Sequence, residues 1–363
     1  MTNPYELWDT RRLLGVMRDV KAEANFFSQF FPTEFRSDDE YIDFEKLPIL
    51  DRKLAPFAMP EARGGAIYND SVKTFRFKPA YVKVEDAIDP RMPLTKRAGI
   101  DASMLEYPTL SPMQRLALIK AQMASQQVLA VQRTWEWLAA RAIIDGQVTL
   151  TGQDYPTTVV NFQRDAGHTV TLTSGNRWGD SGVSIVSSIQ AWLDTMNNAE
   201  FGALPTKMLM GGDVWNVLRK DAEFKEHLDT NYRNPAMTIE RGLVTGGPNG
   251  SKVFKVGEML VGGAGGASIE LWVYNETYKD SAGSNVRYLG AKEIVLLGPV
   301  DSVMGHRCFG VIVDRMAQYQ PLPIFPANWV QGNNPQTEFV GHTSSPLMVP
   351  IAPNATFKAT VVA

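Results

Sequence analysis

His306 and Cys308 stand two residues apart in Gly305-His306-Arg307-Cys308-Phe309-Gly310, so on an extended strand they share one face. A thiol beside an imidazole is the pairing that makes a thiolate nucleophile with its own base. The flanking residues offer no carboxylate to orient the imidazole, and a cysteine opening an apolar strand usually serves as a small core residue. The other histidines, His168, His227 and His342, lie far apart, and none has the paired helical spacing of a zinc site. Two glycine clusters, 246–250 and 262–266, raise the question of nucleotide binding. Neither ends in the Gly-Lys-Ser/Thr of a phosphate loop, since Gly250 is followed by Ser251 and then Lys252. The second cluster runs into Ile269-Glu270-Leu271-Trp272-Val273, a strand pattern rather than a helix whose N-terminus would hold phosphate. Turn glycines account for both. The scattered carboxylates identify no acid–base pair. The reading is therefore no catalytic residue, no cofactor and no metal, with a cytosolic hydrolase built on Cys308 and His306 kept as an alternative.

Composition narrows the class. The chain has 363 residues, 44% apolar and 21% charged, and a net charge of −3 from 36 basic and 39 acidic side chains. That apolar content supports a large core and excludes wholesale disorder, and the length suggests about two domains. No apolar run approaches the roughly 20 residues of a membrane helix; Ile294–Leu297 stops at Gly298-Pro299. The start, Met1-Thr2-Asn3-Pro4-Tyr5-Glu6, lacks a secretory pattern, which predicts a soluble chain made in the cytosol. Cys308 is the only cysteine, so an intrachain disulfide is impossible. The charge balance argues against a protein whose main task is gripping nucleic acid.

The elements that must position these residues begin with an arm, 1–48. Tyr5, Leu7, Trp8, Leu13, Leu14, Met17, Val20 and Ala24 give an approximate helical stripe. Phe26, Phe27, Phe30, Phe31 and Phe35 follow, and this much aromatic area needs a cover. The cover is either the chain's own core or a neighbouring subunit. A membrane-surface helix fits less well, because the polar face is not lysine-rich. Residues 49–95 are broken by proline and glycine. Val72 to Lys78 alternates, with Phe75 and Phe77 on one face and Arg76 and Lys78 on the other, and Tyr81 to Val84 continues the extended pattern. This predicts a two-stranded ribbon carrying Arg63, Lys73, Arg76, Lys78 and Lys83. Single-stranded nucleic acid is one partner for such a ribbon. Glu61, Asp70, Glu85 and Asp86 offset the charge, which favours another protein chain, with Arg76 and Lys78 against acidic groups of an adjacent subunit. The candidate inter-subunit contacts are thus Phe26, Phe27, Phe30, Phe31, Arg63, Lys73, Phe75, Arg76, Phe77 and Lys78.

Ser111-Pro112-Met113-Gln114 is a capping box with proline at the first helical position, and glycine and proline are then absent until Gly146. Leu116, Ile119, Met123, Ala130, Val131, Leu138 and Ala142 mark one apolar side. The spacing predicts a helix over 111–145, about 50 Å long. Short strands follow at 147–151, 157–162 and 169–172. Helices are expected near 184–198 and 213–228, the second capped by Asp213 with Trp215, Leu218 and Phe224 inward. Further strands fall at 268–274, 293–297, 308–313 and 356–362. The fold class is α+β.

An arm, a projecting ribbon, a long spine and no evident chemistry describe a part that contacts copies of itself. Four sets of motifs carry a resemblance, in order along nearly the whole chain. They are Phe26-Phe27-Ser28-Gln29-Phe30-Phe31; Arg63-Gly64-Gly65 with Pro79-Ala80-Tyr81-Val82-Lys83 and Asp89-Pro90-Arg91-Met92-Pro93-Leu94; Leu150-Thr151-Gly152 with Phe224 through Thr230; and Pro326-Ala327-Asn328-Trp329-Val330 through Ser345-Pro346-Leu347-Met348. Together they resemble the phage capsid protein E family, the major head proteins of bacteriophage lambda and its relatives. The resemblance implies the Hong Kong 97-type capsid fold. Its parts would be the arm 1–48, an extended loop 49–95, a peripheral domain from 96–159 and 286–363 with spine helix 111–145, and an axial domain 160–285. It implies a virion protein, assembled in the host cytoplasm into hexamers and pentamers of an icosahedral head. That head would enclose double-stranded DNA without sequence-specific binding. Scaffold, portal and decoration proteins are the implied partners. Residues 230–290 depart from the relatives, which leaves contacts near the capsomer centre open. Within assembly, an encapsulin-like shell is the alternative.

Overall fold

The computed structural model describes residues 13, 15, 26–46, 73–94, 111–152, 155–224, 252–261, 267–280, 282–303, 305–332 and 336–363. The spine helix, α1 (Pro112–Asp145), forms as its sequence dictates. Ser111 Oγ accepts the Gln114 N–H at 3.3 Å, and Gln114 Oε1 accepts the Ser111 N–H at 2.9 Å. These bonds satisfy donors that a helix start otherwise leaves open. At the far end Gly146 has φ 65°. Arg164 Nη1 donates there to the carbonyls of Ile143 and Ile144, both at 3.0 Å. A Cβ at 146 would lie 2.9 Å from the Arg164 side chain, so both the turn and the guanidinium require glycine.

Among the described residues four strands precede α1: β1 (Thr33–Arg36), β2 (Ile42–Lys46), β3 (Lys73–Phe77) and β4 (Val82–Ile88). After it come β5 (Gln147–Gly152), β6 (Tyr155–Asn161) and β7 (Thr169–Thr171), then helix α2 (Ile185–Asn198), β8 (Lys207–Met210) and helix α3 (Gly212–Leu218). Next are β9 (Val253–Val261), β10 (Ala267–Tyr274), β11 (Thr277–Lys279), β12 (Asn285–Arg287) and β13 (Glu293–Leu297). The last five are β14 (His306–Phe309), β15 (Phe325–Gln331), β16 (Thr337–Ser344), β17 (Pro346–Val349) and β18 (Thr356–Thr360). The α3 expectation needs two corrections. Its cap is Gly211, with no side-chain bond, and the helix stops at Leu218, with residues 222–224 helical again and 225–228 outside the described residues.

The largest sheet has the order β7-β18-β13-β8-β10-β9. Its middle strands, Lys207-Met208-Leu209-Met210 and Glu293-Ile294-Val295-Leu296-Leu297, are nearly continuous apolar runs because both faces are covered. Ile294, Leu296, Met208 and Met210 face one core with Trp178, Ile189, Trp192 and Phe357. Val295, Leu297 and Leu209 face the other, with Phe27, Phe30, the C-terminal half of α1 and Leu347. The sheet is a partition between two cores. It also crosses the expected domain boundary at 285/286, since β13 and β18 hydrogen-bond to β8 and β7 rather than standing apart from them.

The other half of α1 lies on a second sheet, β15-β16-β4. Ala124 packs with Val340 and Ile88, and Val128 and Val131 pack with Ile324. Here too the sequence expectation is corrected. The ribbon is β2 with β3, Ile42 opposite Phe77, whereas residues 82–88 pair along β16. The ribbon thus draws its second strand from the segment read as arm. The reason is visible in Ile42-Asp43-Phe44-Glu45-Lys46, which alternates in the same sense as β3 and places Asp43 opposite Arg76.

Candidate assembly surfaces

The arm's phenylalanines form a 3₁₀ knuckle, Phe27–Phe30, against α1. Glu136 Oε1 accepts the Phe27 N–H at 2.6 Å, and its other oxygen accepts the Ser28 N–H at 2.9 Å and the Ser28 hydroxyl at 2.6 Å. Burial pushes the Glu136 carboxyl up, and these three donors oppose that shift. Phe27, Phe30 and Phe31 are fully buried. The Phe31 ring presses so closely on Gly305 that a Cβ there would come within 2.2 Å of it. The chain's own core covers these three rings, one of the two covers the sequence left open. Phe26 is half-buried, with Trp272 at 5.8 Å and Tyr274 at 5.7 Å between ring centroids.

On the ribbon, Arg76 makes a forked bond to Asp43, Nε to Oδ1 at 2.8 Å and Nη2 to Oδ2 at 3.0 Å. Lys78 pairs with Glu40. Both cations lie over the Tyr41 ring, at 5.4 and 5.6 Å from its centroid. The hydrogen bond to Asp43 is the main reason the Arg76 pKa is raised, and the same bond lowers that of Asp43. Lys78 is raised mainly by its bond to Glu40. Within the chain, Arg76 and Lys78 thus already have acidic partners in Asp43 and Glu40. Phe77 meets the Phe162 ring edge-on at 5.9 Å. Lys73 and Phe75 are placed on β3 by their backbones, opposite Lys46 and Phe44. Arg63 and both glycine clusters lie outside the described residues.

Cys308 sits on β14, between β1 and β17, and is buried. Burial pushes its thiol well above the ordinary range and holds the His306 imidazole below its own. The Cys308 Sγ contact with His306 is to the backbone oxygen, at 3.7 Å, not to the ring. A buried thiol shifted this way is a poor source of thiolate. Among the described residues no cluster of three metal-type ligands occurs, and no helix is long and apolar enough to cross a membrane. A cleft of about 240 Å³ opens at the end of α1. Its cations are already engaged: Lys358 with Asp145 and Glu293, Arg141 with Asp145, and Arg164 with the helix-end carbonyls. Burial lowers Arg164 to about 10.

One surface had no periodic signal to reveal it. The loop between β14 and β15 exposes Val313 (67%), Met316 (78%) and Tyr319 (59%) over a small core of Ile312, Ala317 and Phe325. Gln318 and Tyr319 both take φ 54° to hold this turn.

Residues 9–361 match the family described as Phage major capsid protein E. The chain belongs to this family. The capsid protein is 25% identical over 350 residues to the major capsid protein of Enterobacteria phage P21, covering 94% of this chain and 96% of that one. It is 24% identical over 352 residues to the major capsid protein of Escherichia phage lambda, with the same two coverages. Among solved structures, the putative capsid protein of a prophage of Escherichia coli CFT073 superposes with a TM-score of 0.70 at 20% identity, over 99% of this chain and 100% of that one. The fold is the Hong Kong 97-type capsid fold, α+β, as the motifs implied. The protein is a major capsid protein of a tailed phage, a virion component that self-associates into a shell. Family membership favours the phage capsid over the encapsulin-like alternative.

Proposed function

We propose that this capsid protein assembles as hexamers and pentamers of an icosahedral head around double-stranded DNA, without catalysis of its own. The observation that carries the reading is the family match across residues 9–361. The near-neutral chain, −3 overall, suits dense lateral packing, where self-repulsion would accumulate over every subunit. The division into arm, extended loop, peripheral and axial domains is part of this proposal, with the ribbon taken from residue 42 and the six-stranded sheet shared by the peripheral and axial parts. The inter-subunit contacts are then residues of the extended loop, Arg63, Lys73, Phe75, Arg76, Phe77 and Lys78, and the Val313–Tyr319 loop. A scaffold, a portal and a decoration protein complete the partner set.

The test is negative-stain electron microscopy with sedimentation, on the chain alone and expressed with its neighbouring genes. Closed shells, or rings of five and six, are expected, and DNA rather than a packaged enzyme inside complete particles. A uniform monomer or dimer in both preparations overturns the reading.

A further inference from the structure

Arg141, Arg164 and Lys358 meet in the cleft at the end of α1, where Asp145 is the one carboxylate among the lining residues. Their bonds hold these cations in place without neutralising them. Lys358 Nζ donates to Asp145 Oδ1 at 3.0 Å and lies 2.9 Å from Glu293 Oε1. One of its three N–H bonds is left unspent. Arg141 donates from Nη1 to Asp145 Oδ2 at 2.9 Å and from Nη2 to the Tyr288 carbonyl. Its buried Nε–H has no partner among the described residues. Arg164 meets only neutral oxygens: the Ile143 and Ile144 carbonyls, Thr356 Oγ1 at 3.4 Å and Thr169 Oγ1 at 2.7 Å. Burial works against its charge, and the field of Asp145 opposes that shift. Three cations thus face two carboxylates, Asp145 and Glu293, which leaves one positive charge in excess. The last carbonyls of α1 contribute only about half a negative charge. A part-buried positive remainder is costly to keep without a counter-ion.

We propose that this cleft binds a phosphate group, either free inorganic phosphate or a backbone phosphate of DNA. Its volume, about 240 Å³, is below the roughly 300–1,000 Å³ of sites for drug-sized ligands, so it suits a compact ion. Two guanidinium forks and an ammonium match an oxyanion with several acceptor oxygens better than they match one more carboxylate. Gln147 and Thr149, both exposed on β5, add an amide and a hydroxyl to the lining. The anion supplies the acceptor that Lys358 and Arg141 lack, and it ties β18 and β5 to the end of the spine helix. The DNA source rests on the reading that the shell encloses DNA; the free ion does not.

Isothermal titration of the full-length chain with sodium phosphate, against sodium chloride of equal ionic strength, tests the site. Saturable binding of inorganic phosphate is expected in the wild type. Gln147→Glu and Thr149→Glu each bring a carboxylate into the cleft from an exposed position. Both are expected to keep the fold, read by near-UV circular dichroism, and to weaken phosphate binding by roughly tenfold or more. A short fluorescein-labelled DNA duplex is the second arm. Duplex binding that inorganic phosphate displaces and both variants lose assigns the site to the DNA backbone. Phosphate binding without duplex binding assigns it to the free ion. No saturable phosphate binding in the wild type overturns the proposal, and so does binding that both folded variants retain in full. Shell formation is read separately by electron microscopy, so a failure here leaves the capsid reading standing.

Discussion

The carboxylate of Glu136 holds the backbone N–H of Phe27 at 2.6 Å across 109 residues of sequence. The buried carboxyl group is held by donors from the knuckle, chiefly the Phe27 and Ser28 N–H groups and the Ser28 hydroxyl. Glu136→Ala strands two backbone N–H groups against the core, which is expected to cost roughly 3 kcal/mol. Ser28→Ala removes one donor and is expected to cost about 1 kcal/mol. Urea denaturation of the two variants reads both values; equal stability to wild type would refute the latch.

Deleting residues 1–31 is expected to abolish folding, and shell formation with it. The deletion removes Phe27, Phe30 and Phe31, each fully buried, and a Phe→Ala truncation in a core costs about 3–5 kcal/mol. Near-UV circular dichroism of the truncated chain checks this; native aromatic signals together with missing shells would return the knuckle to an assembly role.

Charge reversal on the ribbon separates in-chain from between-chain pairing. Arg76→Glu with Lys78→Glu places like charges beside Asp43 and Glu40, and is expected to leave the fold intact while reducing particle yield. Adding Asp43→Arg and Glu40→Lys restores both pairs within the chain and is expected to recover particles. Sedimentation of the three proteins gives the answer. Failure of the four-fold variant to recover would mean that a neighbouring subunit reads these charges as well.

The imidazole of His342 is buried between α1 and β16, with Nδ1 2.7 Å from Gln127 Oε1, and burial lowers its pKa to about 4. Gln127 in turn donates to Asp86 and to the Val340 carbonyl. The unfolded chain binds this proton near pH 6.5 and the folded chain only near 4, so protonation favours unfolding. The contribution is whole above about 6.5 and is lost as pH falls toward 4, in total roughly 3 kcal/mol. Stability measured from pH 7 to 4 is expected to fall less steeply in His342→Gln than in wild type. Parallel curves would show that His342 does not titrate in that window.

The elements legible in the sequence were those whose signals are local. Ser111 and Gln114 lie within one turn of each other and Gly146 needs only its own φ, so both ends of α1 could be read directly. The aromatic knuckle was visible as a cluster, but its cover was not, because Glu136 and Tyr274 are distant in sequence and close only in space. The ribbon strand β3 stood out by alternation, whereas its partner depended on register, and β4 alternates just as well while pairing with β16. Asp213 looked like a cap by residue type, yet backbone bonds to the Ala291 carbonyl hold that turn. The Val313–Tyr319 loop has no period at all, and only its exposure distinguishes it.

The position of β18 bears on how shells stay free of defective parts. Thr356–Thr360 is synthesised after every other strand of the partition sheet, yet it sits inside that sheet, between β7 and β13. While a ribosome still holds this segment, β7 has no neighbour and Phe357 is missing from its place against Trp192. Pairing over such sequence distances forms late. A chain that ends early through a stalled or miscoded message therefore lacks the wedge that closes the wall between its two cores. The fold screens its own subunits for completeness before any of them meets a growing lattice.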